Sequence, residues 1–251
     1  MDGLIVLNKP TGITSAKALY RVRKVTRVRK SGHAGTLDPG AAGVLILCLG
    51  RGTNLVERLM DLPKVYRAEA RLDVTSASFD SDRPLIDVPC ARIPTDDELR
   101  AACADFTGTI AQVPPAISAV KIGGKPSYKH ARAGREVELK PRPVHIYWLH
   151  VHDYRWPRLD FEMACGRGTY VRSLIRDLGA ALGVGGCLTA LTRTEVGPFR
   201  IADGATFEDL EREPAWEQRV IPLERAAEMI QAEIGRVPLA PNSHAPEANR
   251  S

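Results

Sequence analysis

Apolar positions along this chain switch between the periods of strands and helices. Residues 4–7 are an unbroken Leu-Ile-Val-Leu run of strand length, and the Asn8, Lys9, Pro10, Thr11 and Gly12 that follow make a turn. Thr14 or Ser15 can cap a helix with Leu19, Val22 and Val25 on one side. Residues 44–49 form a second apolar run with the pattern of a buried strand, and residues 53–60 carry Leu55, Val56, Leu59 and Met60 at helical spacing. Residues 65–72 alternate as a half-buried strand does. Thr95, Asp96, Asp97 and Glu98 make a capping box ahead of Leu99, Ala102, Cys103 and Phe106. Residues 144–151 and 159–165 read as further strands. Thr169 is placed to cap a helix striped by Val171, Leu174, Ile175, Leu178 and Leu182, with Gly183 just beyond it. An acidic helical stretch at 208–217 and a last helix at 222–234 follow. Residues 236–251 turn to Pro, Asn, Ser and Ala, the composition of a disordered tail. The elements are mixed α and β, without an internal repeat.

Charge changes the picture at one end. The 251 residues hold 35 Lys and Arg against 30 Asp and Glu, a formal net charge of +5. The excess is concentrated: between Gly3 and Leu37 no acidic residue occurs, while Lys9, Lys17, Arg21, Arg23, Lys24, Arg27, Arg29 and Lys30 all do. A surface so patterned is suited to a polyanion, and nucleic acid is the expected partner. The five cysteines are odd in number and widely spread, with no Cys-x-x-Cys pair, so neither a zinc knuckle nor a disulfide framework is expected. The start carries no signal-peptide pattern and no apolar run is long enough to span a bilayer, so a cytoplasmic protein away from membranes is expected.

Candidate chemistry centres on residues 32–43, where four glycines and a proline surround Asp38 just ahead of the apolar strand. A carboxylate on so stiff a loop can act as a nucleophile, a general base or a metal ligand. Tyr66, flanked by Lys64 and Arg67, can stack on a base and can reach a proton. Gly166, Arg167 and Gly168 open the helix that carries Arg172 in its first turn, where a cation opposes the helix dipole and calls for a nearby anion. Residues 112–142 combine Pro114, Pro115, Gly123 and Gly124 with Lys121, Lys125, Lys129, Arg132, Arg135, Lys140 and Arg142, and interleave Tyr128 and His130. This is the composition of a basic flap that closes on RNA. His145, His150 and His152 lack a paired carboxylate pattern, and no metal site is expected from them.

Several blocks, taken together, resemble a known family. They are Asn8-Lys9-Pro10-x-Gly12-x-Thr14-Ser15, Gly32-His33-Ala34-Gly35-Thr36-Leu37-Asp38-Pro39, Lys64-x-Tyr66 and Gly168-Thr169-Tyr170-Val171-Arg172-Ser173-Leu174. Gln112-x-Pro114-Pro115-x-x-Ser118-Ala119-x-Lys121, Tyr128-x-x-Ala131-Arg132 and Leu188-x-x-Leu191-x-Arg193-Thr194-x-x-Gly197-x-Phe199 continue the match in order, over roughly residues 2–200. The sequence is similar to the tRNA pseudouridine-55 synthases of the TruB type. The resemblance implies an α+β pseudouridine synthase fold, a mixed and mostly antiparallel central sheet with flanking helices and a cleft across its centre. It also implies isomerisation of a uridine in the T-arm loop of tRNA, with no metal and no cofactor.

By the same resemblance Asp38 is the catalytic aspartate, attacking C6 of the base or engaging the ribose. Arg172 is its partner, Tyr66 packs on the base and moves a proton, Leu191 walls the pocket, and His33 packs where the base has flipped out. Lys9, Lys64, Lys121 and Arg132 are the further expected RNA contacts. The matched blocks show no second carboxylate of the kind a glycosidase needs. The chain departs from the family pattern after Leu72, where Asp73 stands in place of a glycine and residues 76–80 lack a middle acid. Many family members carry a C-terminal RNA-binding PUA module. None is expected here, so residues 1–235 would form one catalytic domain with its flap at 121–142, acting as a monomer without an obligate protein partner and binding tRNA less tightly.

Overall fold

The computed structural model describes residues 1–116, 121–122, 125–126, 139–212 and 216–241. Its elements run β1 (Gly3–Lys9), α1 (Ser15–Thr26), β2 (Ser31–Ala34), β3 (Ala42–Leu49), α2 (Val56–Asp61), β4 (Lys64–Arg71), β5 (Val74–Thr75) and β6 (Ile86–Asp87). Then come α3 (Asp96–Asp105), β7 (Gly108–Gln112), β8 (Lys121–Ile122), β9 (Lys125–Pro126), β10 (Arg142–Arg155), β11 (Arg158–Cys165) and α4 (Val171–Ala181). The chain ends on β12 (Cys187–Val196), β13 (Phe199–Arg200), α5 (Phe207–Glu211), β14 (Ile221–Pro222) and α6 (Leu223–Glu233).

Ten of these strands join in one sheet, whose path is β14-β1-β3-β12-β4-β11-β10-β7, with β2 paired to β3 and β13 to β12. All pairings are antiparallel except β3 with β12, which run parallel and meet only at Thr192 with Ala42 and Arg193 with Gly43. This is the expected α+β fold with a mixed, mostly antiparallel sheet.

The apolar runs at 4–7 and 44–49 pair in register, from Gly3 with Leu49 to Lys9 with Gly43. They are continuous because this ladder is buried on both faces. Leu4, Val6, Val44, Ile46 and Cys48 pack under α2 and α6 through Leu59, Ala226 and Ile230. Ile5, Leu7, Leu45, Leu47 and Leu49 pack under α1 and α5 through Ala18, Val22, Phe207 and Leu210. The other half of the sheet has its own core, in which Ala68, Phe161, Met163 and Ile146 meet Leu99 of α3 and Leu174, Ile175 and Leu178 of α4. Tyr66 and Leu191 touch both this core and the one under α1, so they stand at the seam between the halves.

Local signals explain most helix boundaries. The Thr14 hydroxyl accepts from the Lys17 N–H at the start of α1, and Thr95 with Glu98 forms the expected box at α3. The helix expected at 53–60 divides into a 3₁₀ turn, Gly50–Leu55, and the short α2. The expected cap Thr169 is corrected: its hydroxyl donates to Gly166 O at 3.1 Å, and Tyr170 is the N-cap without a side-chain cap of its own. The acidic stretch at 208–217 yields only the five-residue α5, with 213–215 outside the described residues. Most of the basic flap, Arg132 included, and residues 242–251 of the expected tail also lie outside them. Residues 236–241 have no regular structure, yet the Trp148 indole donates to Pro238 O at 3.0 Å. Among the described residues no helix is long and apolar enough to cross a membrane.

Leu47 is fully buried at the centre of β3. Leu47→Ala is expected to lower unfolding stability by about 2–5 kcal/mol, read from urea denaturation.

Candidate active site

Asp38 sits on the loop between β2 and β3, and five hydrogen bonds fix that loop. The Ser15 hydroxyl, at the start of α1, both accepts from Leu37 N–H and donates to Leu37 O, each at 2.9 Å. Gly12 N–H donates to Pro39 O at 2.8 Å, so the turn after β1 leans on the same loop. Arg193 of β12 clasps both ends, donating from Nε to Val44 O at 2.8 Å and from Nη2 to Gly35 O at 2.9 Å. Two glycines lie against Arg193, one beside its side chain and one beside its backbone. Gly35 has φ +80° and its missing Cβ would lie 3.3 Å from Arg193 Nη1, while at Gly43, φ +99°, a Cβ would meet Arg193 O at 2.2 Å.

The loop carries the Asp38 carboxylate to Arg172, whose Nη2 lies 2.8 Å from Oδ2. The pair is lopsided: the Arg172 side chain is 6 % exposed and that of Asp38 46 %. Arg172 is in the first turn of α4, which has no acidic residue, so Asp38 supplies the negative charge that this helix start favours. Arg172 Nη1 also donates to Ser78 O at 3.1 Å. The variant 73–80 loop therefore does reach the site, through a backbone carbonyl. Asp73 turns away to bind Arg71 Nε at 2.9 Å.

Around the pair lies a cavity of about 240 Å³, lined by the Asp38 loop, Lys64, Tyr66, residues 166–172, Leu191 and Arg193. β12 reaches its wall through Leu191 and Arg193, beside the two-residue contact with β3. Among the described lining residues Asp38 is the only acid, against Lys64, Arg167, Arg172 and Arg193. Arg167 is anchored to α2, its Nη1 2.9 Å from both Glu57 Oε2 and Asp61 Oδ1. Burial pushes the Tyr66 phenol up, and Arg193, hydrogen-bonded to it, acts in the opposite sense. Such a site can hold one flat, uncharged ring against Tyr66 and Leu191, with an oriented carboxylate at its edge.

Asp38, Tyr66, Arg172, Leu191 and Lys64 thus come together. Lys64 is buried, and its ammonium donates to Met60 O and, at 2.6 Å, to Leu62 O. Lys9, expected to contact RNA, is corrected: it is fully buried, and its ammonium holds the turn through Pro10 O at 2.9 Å and Ile13 O at 2.8 Å. His33 lies on β2 behind the Asp38 loop, where burial and then Arg193 push its imidazole pKa down. Its Nδ1 is buried with no hydrogen-bond partner among the described residues. Lys121 lies on the short β8.

Two residues escape sequence reasoning. Arg193 is visible there only as one position of a matched block, with no local sign of burial. Asp80 is half-buried beside Gly40, burial raising its carboxyl pKa and Arg172 lowering it. A second carboxylate is therefore near Arg172, but it lines a separate depression with Gly40, Leu188 and Thr189.

Comparison with known proteins finds a family for the chain. Residues 23–171 match the TruB family pseudouridylate synthase N-terminal domain, and residues 172–228 match the tRNA pseudouridylate synthase B C-terminal domain. Proteins named tRNA pseudouridine synthase B resemble the chain closely. That of Aromatoleum aromaticum is 44 % identical over 220 residues, covering 88 % of this chain and 71 % of its own. That of Dinoroseobacter shibae is 41 % identical over 249 residues, covering 98 % and 80 %. Among solved structures, a Cbf5-Nop10-Gar1 complex superposes with a TM-score of 0.70 at 30 % identity, covering 90 % of this chain and 62 % of that one. An H/ACA RNP bound to a substrate RNA gives 0.68 at 27 %, with 90 % and 61 % covered. The chain therefore spans about three fifths of the solved chains it matches. It belongs to the TruB family of pseudouridylate synthases.

The buried lysines make stability depend on pH. Burial pushes both Lys9 and Lys64 down from 10.5 to about 8. Between those values the folded chain binds fewer protons than the unfolded one, so stability rises with pH through that window. Buried thiols oppose this in part as pH passes through their ordinary 9.0, with Cys48 pushed up to about 12 and Cys103 and Cys165 to about 11. Urea unfolding should therefore show greater stability at about pH 9 than at about pH 7.5, with Lys9→Met and Lys64→Met together removing most of the rise.

Proposed function

We propose that this chain is a tRNA pseudouridine synthase, converting the uridine at position 55 in the T-arm loop to pseudouridine. The observation that carries the reading is the Asp38 carboxylate, bound to Arg172 at 2.8 Å as the sole acid among the described residues of a cavity walled by Tyr66 and Leu191. The relatives named tRNA pseudouridine synthase B support tRNA as the substrate.

The reaction breaks the bond from ribose C1′ to N1 of the base and forms one from C1′ to C5. The C5 proton leaves and N1 gains one, so nothing is oxidised or hydrolysed and the residues named suffice without metal or cofactor. Asp38 is the nucleophile that engages the nucleoside, with Arg172 fixing its orientation through a charge-assisted bond. Tyr66 stacks on the flipped base and moves the C5 proton, and Leu191 keeps water from the cleaved glycosidic bond. His33, neutral where it is buried, packs against the loop that the base has left.

Base flipping costs roughly a few kcal/mol of stacking, which phosphate contacts offset. The surface of α1 and the turn after it supplies them. Arg21 is taken up by Glu211 at 2.6 Å and Arg23 by Ser31 at 2.9 Å, whereas Lys17, Lys24, Arg27, Arg29 and Lys30 are exposed. Lys24 lies 4.8 Å from the centre of the exposed Tyr20 ring. Lys121 and Arg132, from the basic insertion, are the further phosphate contacts of this reading. Residues 1–235 act as one catalytic unit, as a monomer in the cytoplasm without an obligate protein partner.

Tritium release from a T-arm hairpin carrying 5-tritiated uridine tests the reading. Wild type should release tritium, and Asp38→Asn should lower the rate at least about 10³-fold with hairpin binding retained. Equal release from both would remove Asp38 from the chemistry; binding without release by wild type would leave an RNA-binding protein. Replacing Lys17, Lys24 and Arg27 together by Gln should weaken hairpin binding and flatten its salt dependence, by about 0.7–0.9 in log–log slope for every phosphate no longer neutralised.

A further inference from the structure

The start of α4 is held by a side chain from another strand. Tyr170, its N-cap, brings no side-chain cap. Gln112, the last residue of β7 and 1 % exposed, takes that part from outside the helix. Its Oε1 accepts the Tyr170 N–H at 2.8 Å and its Nε2 donates to Tyr170 O at 3.1 Å. The same carbonyl accepts the Leu174 N–H at 3.1 Å, the first bond of the helix. One carboxamide therefore grips both the N–H and the C=O of the residue from which α4 springs, two residues before Arg172. The next residue, Val113, is gripped in return: its carbonyl accepts from Ser173 Oγ at 2.8 Å and from Arg176 Nη2 at 3.0 Å. Gln112 is also the register partner of Arg142 of β10, which closes the base of the basic insertion.

We infer that Gln112 is a positioning residue for the Arg172–Asp38 pair: it sets the axial position and rotation of the first turn of α4, and so where the Arg172 guanidinium presents itself to Asp38. The geometry favours this over simple burial of a polar group. A buried amide needs partners of any kind, whereas this one takes donor and acceptor of a single residue and leaves Arg172 no slack along the helix axis. Orientation of this kind governs rate more than binding, since displacing a reacting pair by about 1 Å can cost about 10²-fold. The catalytic consequence rests on the function proposed above; the placement of Arg172 does not.

The test uses three variants of the full chain. Gln112→Ala removes both bonds, Gln112→Asn falls a methylene short of Tyr170, and Gln112→Glu keeps the shape and the acceptor but loses the donor. In the RNA-free protein, the Arg172 Nε–H resonance should shift or broaden and Tyr170 amide exchange should quicken in Ala and Asn, less in Glu. Single-turnover pseudouridine formation should fall about 10–100-fold in Ala, with hairpin Kd changed less than about threefold. Combined with Arg172→Lys, Gln112→Ala should add little further loss, because both act on one guanidinium. An unmoved Arg172 resonance in all three variants, losses that multiply in the double variant, or a raised Kd at full rate would each overturn the inference. If alanine prevents folding, the Glu and Asn variants carry the same readouts. Wild-type inactivity would sink the proposed function alone, since the Arg172 resonance still decides the role of Gln112.

Discussion

The contact between Asp38 and Arg172 ties together two halves of the molecule, with the Arg193 clasp and the Arg167 contacts to α2 beside it. Asp38 belongs to the doubly covered β1–β3 ladder and Arg172 to the helix over β4, β11 and β10. Where those halves abut, the parallel pairing of β3 with β12 covers only two residue pairs. The cavity lies beside this contact, lined by the Asp38 loop on one side and by Leu191 and Arg193 of β12 on the other, and both members of the ion pair line it. Because Arg172 is sunk and Asp38 half-exposed, the fixed member is the cation and the acid is the one offered to an incoming molecule.

Beneath that pair the protein buries charge without matching acids. Lys9 and Lys64 are held by backbone carbonyls, and so is Arg193. Carbonyl dipoles satisfy hydrogen bonds but do not cancel charge, which is why burial pushes both lysines down. Buried ammonium and guanidinium groups cost stability compared with apolar side chains of like size. Here they fix the turn after β1, the end of α2 and both ends of the Asp38 loop. The floor of the cavity is thereby rigid and positive, suited to an acid in front of it and to RNA phosphates beyond.

Much of this could be read in the chain. The caps Thr14 and Thr95, the paired apolar runs and the glycines around Asp38 are local signals that the fold keeps. Other features have no local signature. β2 is Ser-Gly-His-Ala, and β12 mixes Thr, Arg and Glu because one of its faces lines a polar cavity, so neither has a strand's pattern. Lys9 stands before a proline as a surface lysine would, and only its fold-wide neighbours reveal it as buried. Arg193 is the extreme case: an arginine in Thr-Arg-Thr-Glu carries no hint of being 1 % exposed. Thr169 misleads because a threonine near a helix start is normally the cap, whereas here that work falls to Gln112, some sixty positions earlier in the chain.

The path of the backbone gives the seam a further meaning. The chain crosses into the second half at Lys64 and returns at Val196, and these two residues are direct register partners, with Gly197 N–H on Pro63 O at 2.8 Å. Everything between them is topologically a single excursion whose two ends meet, like a guest stitched into a host through one adjacent pair of threads. Lys64 also lines the cavity, so the stitch sits at one edge of it and acts there as a fixed corner. Away from that corner the gape of the cleft is set by non-covalent contacts. An RNA that wedges against both halves at once has only those contacts to work against.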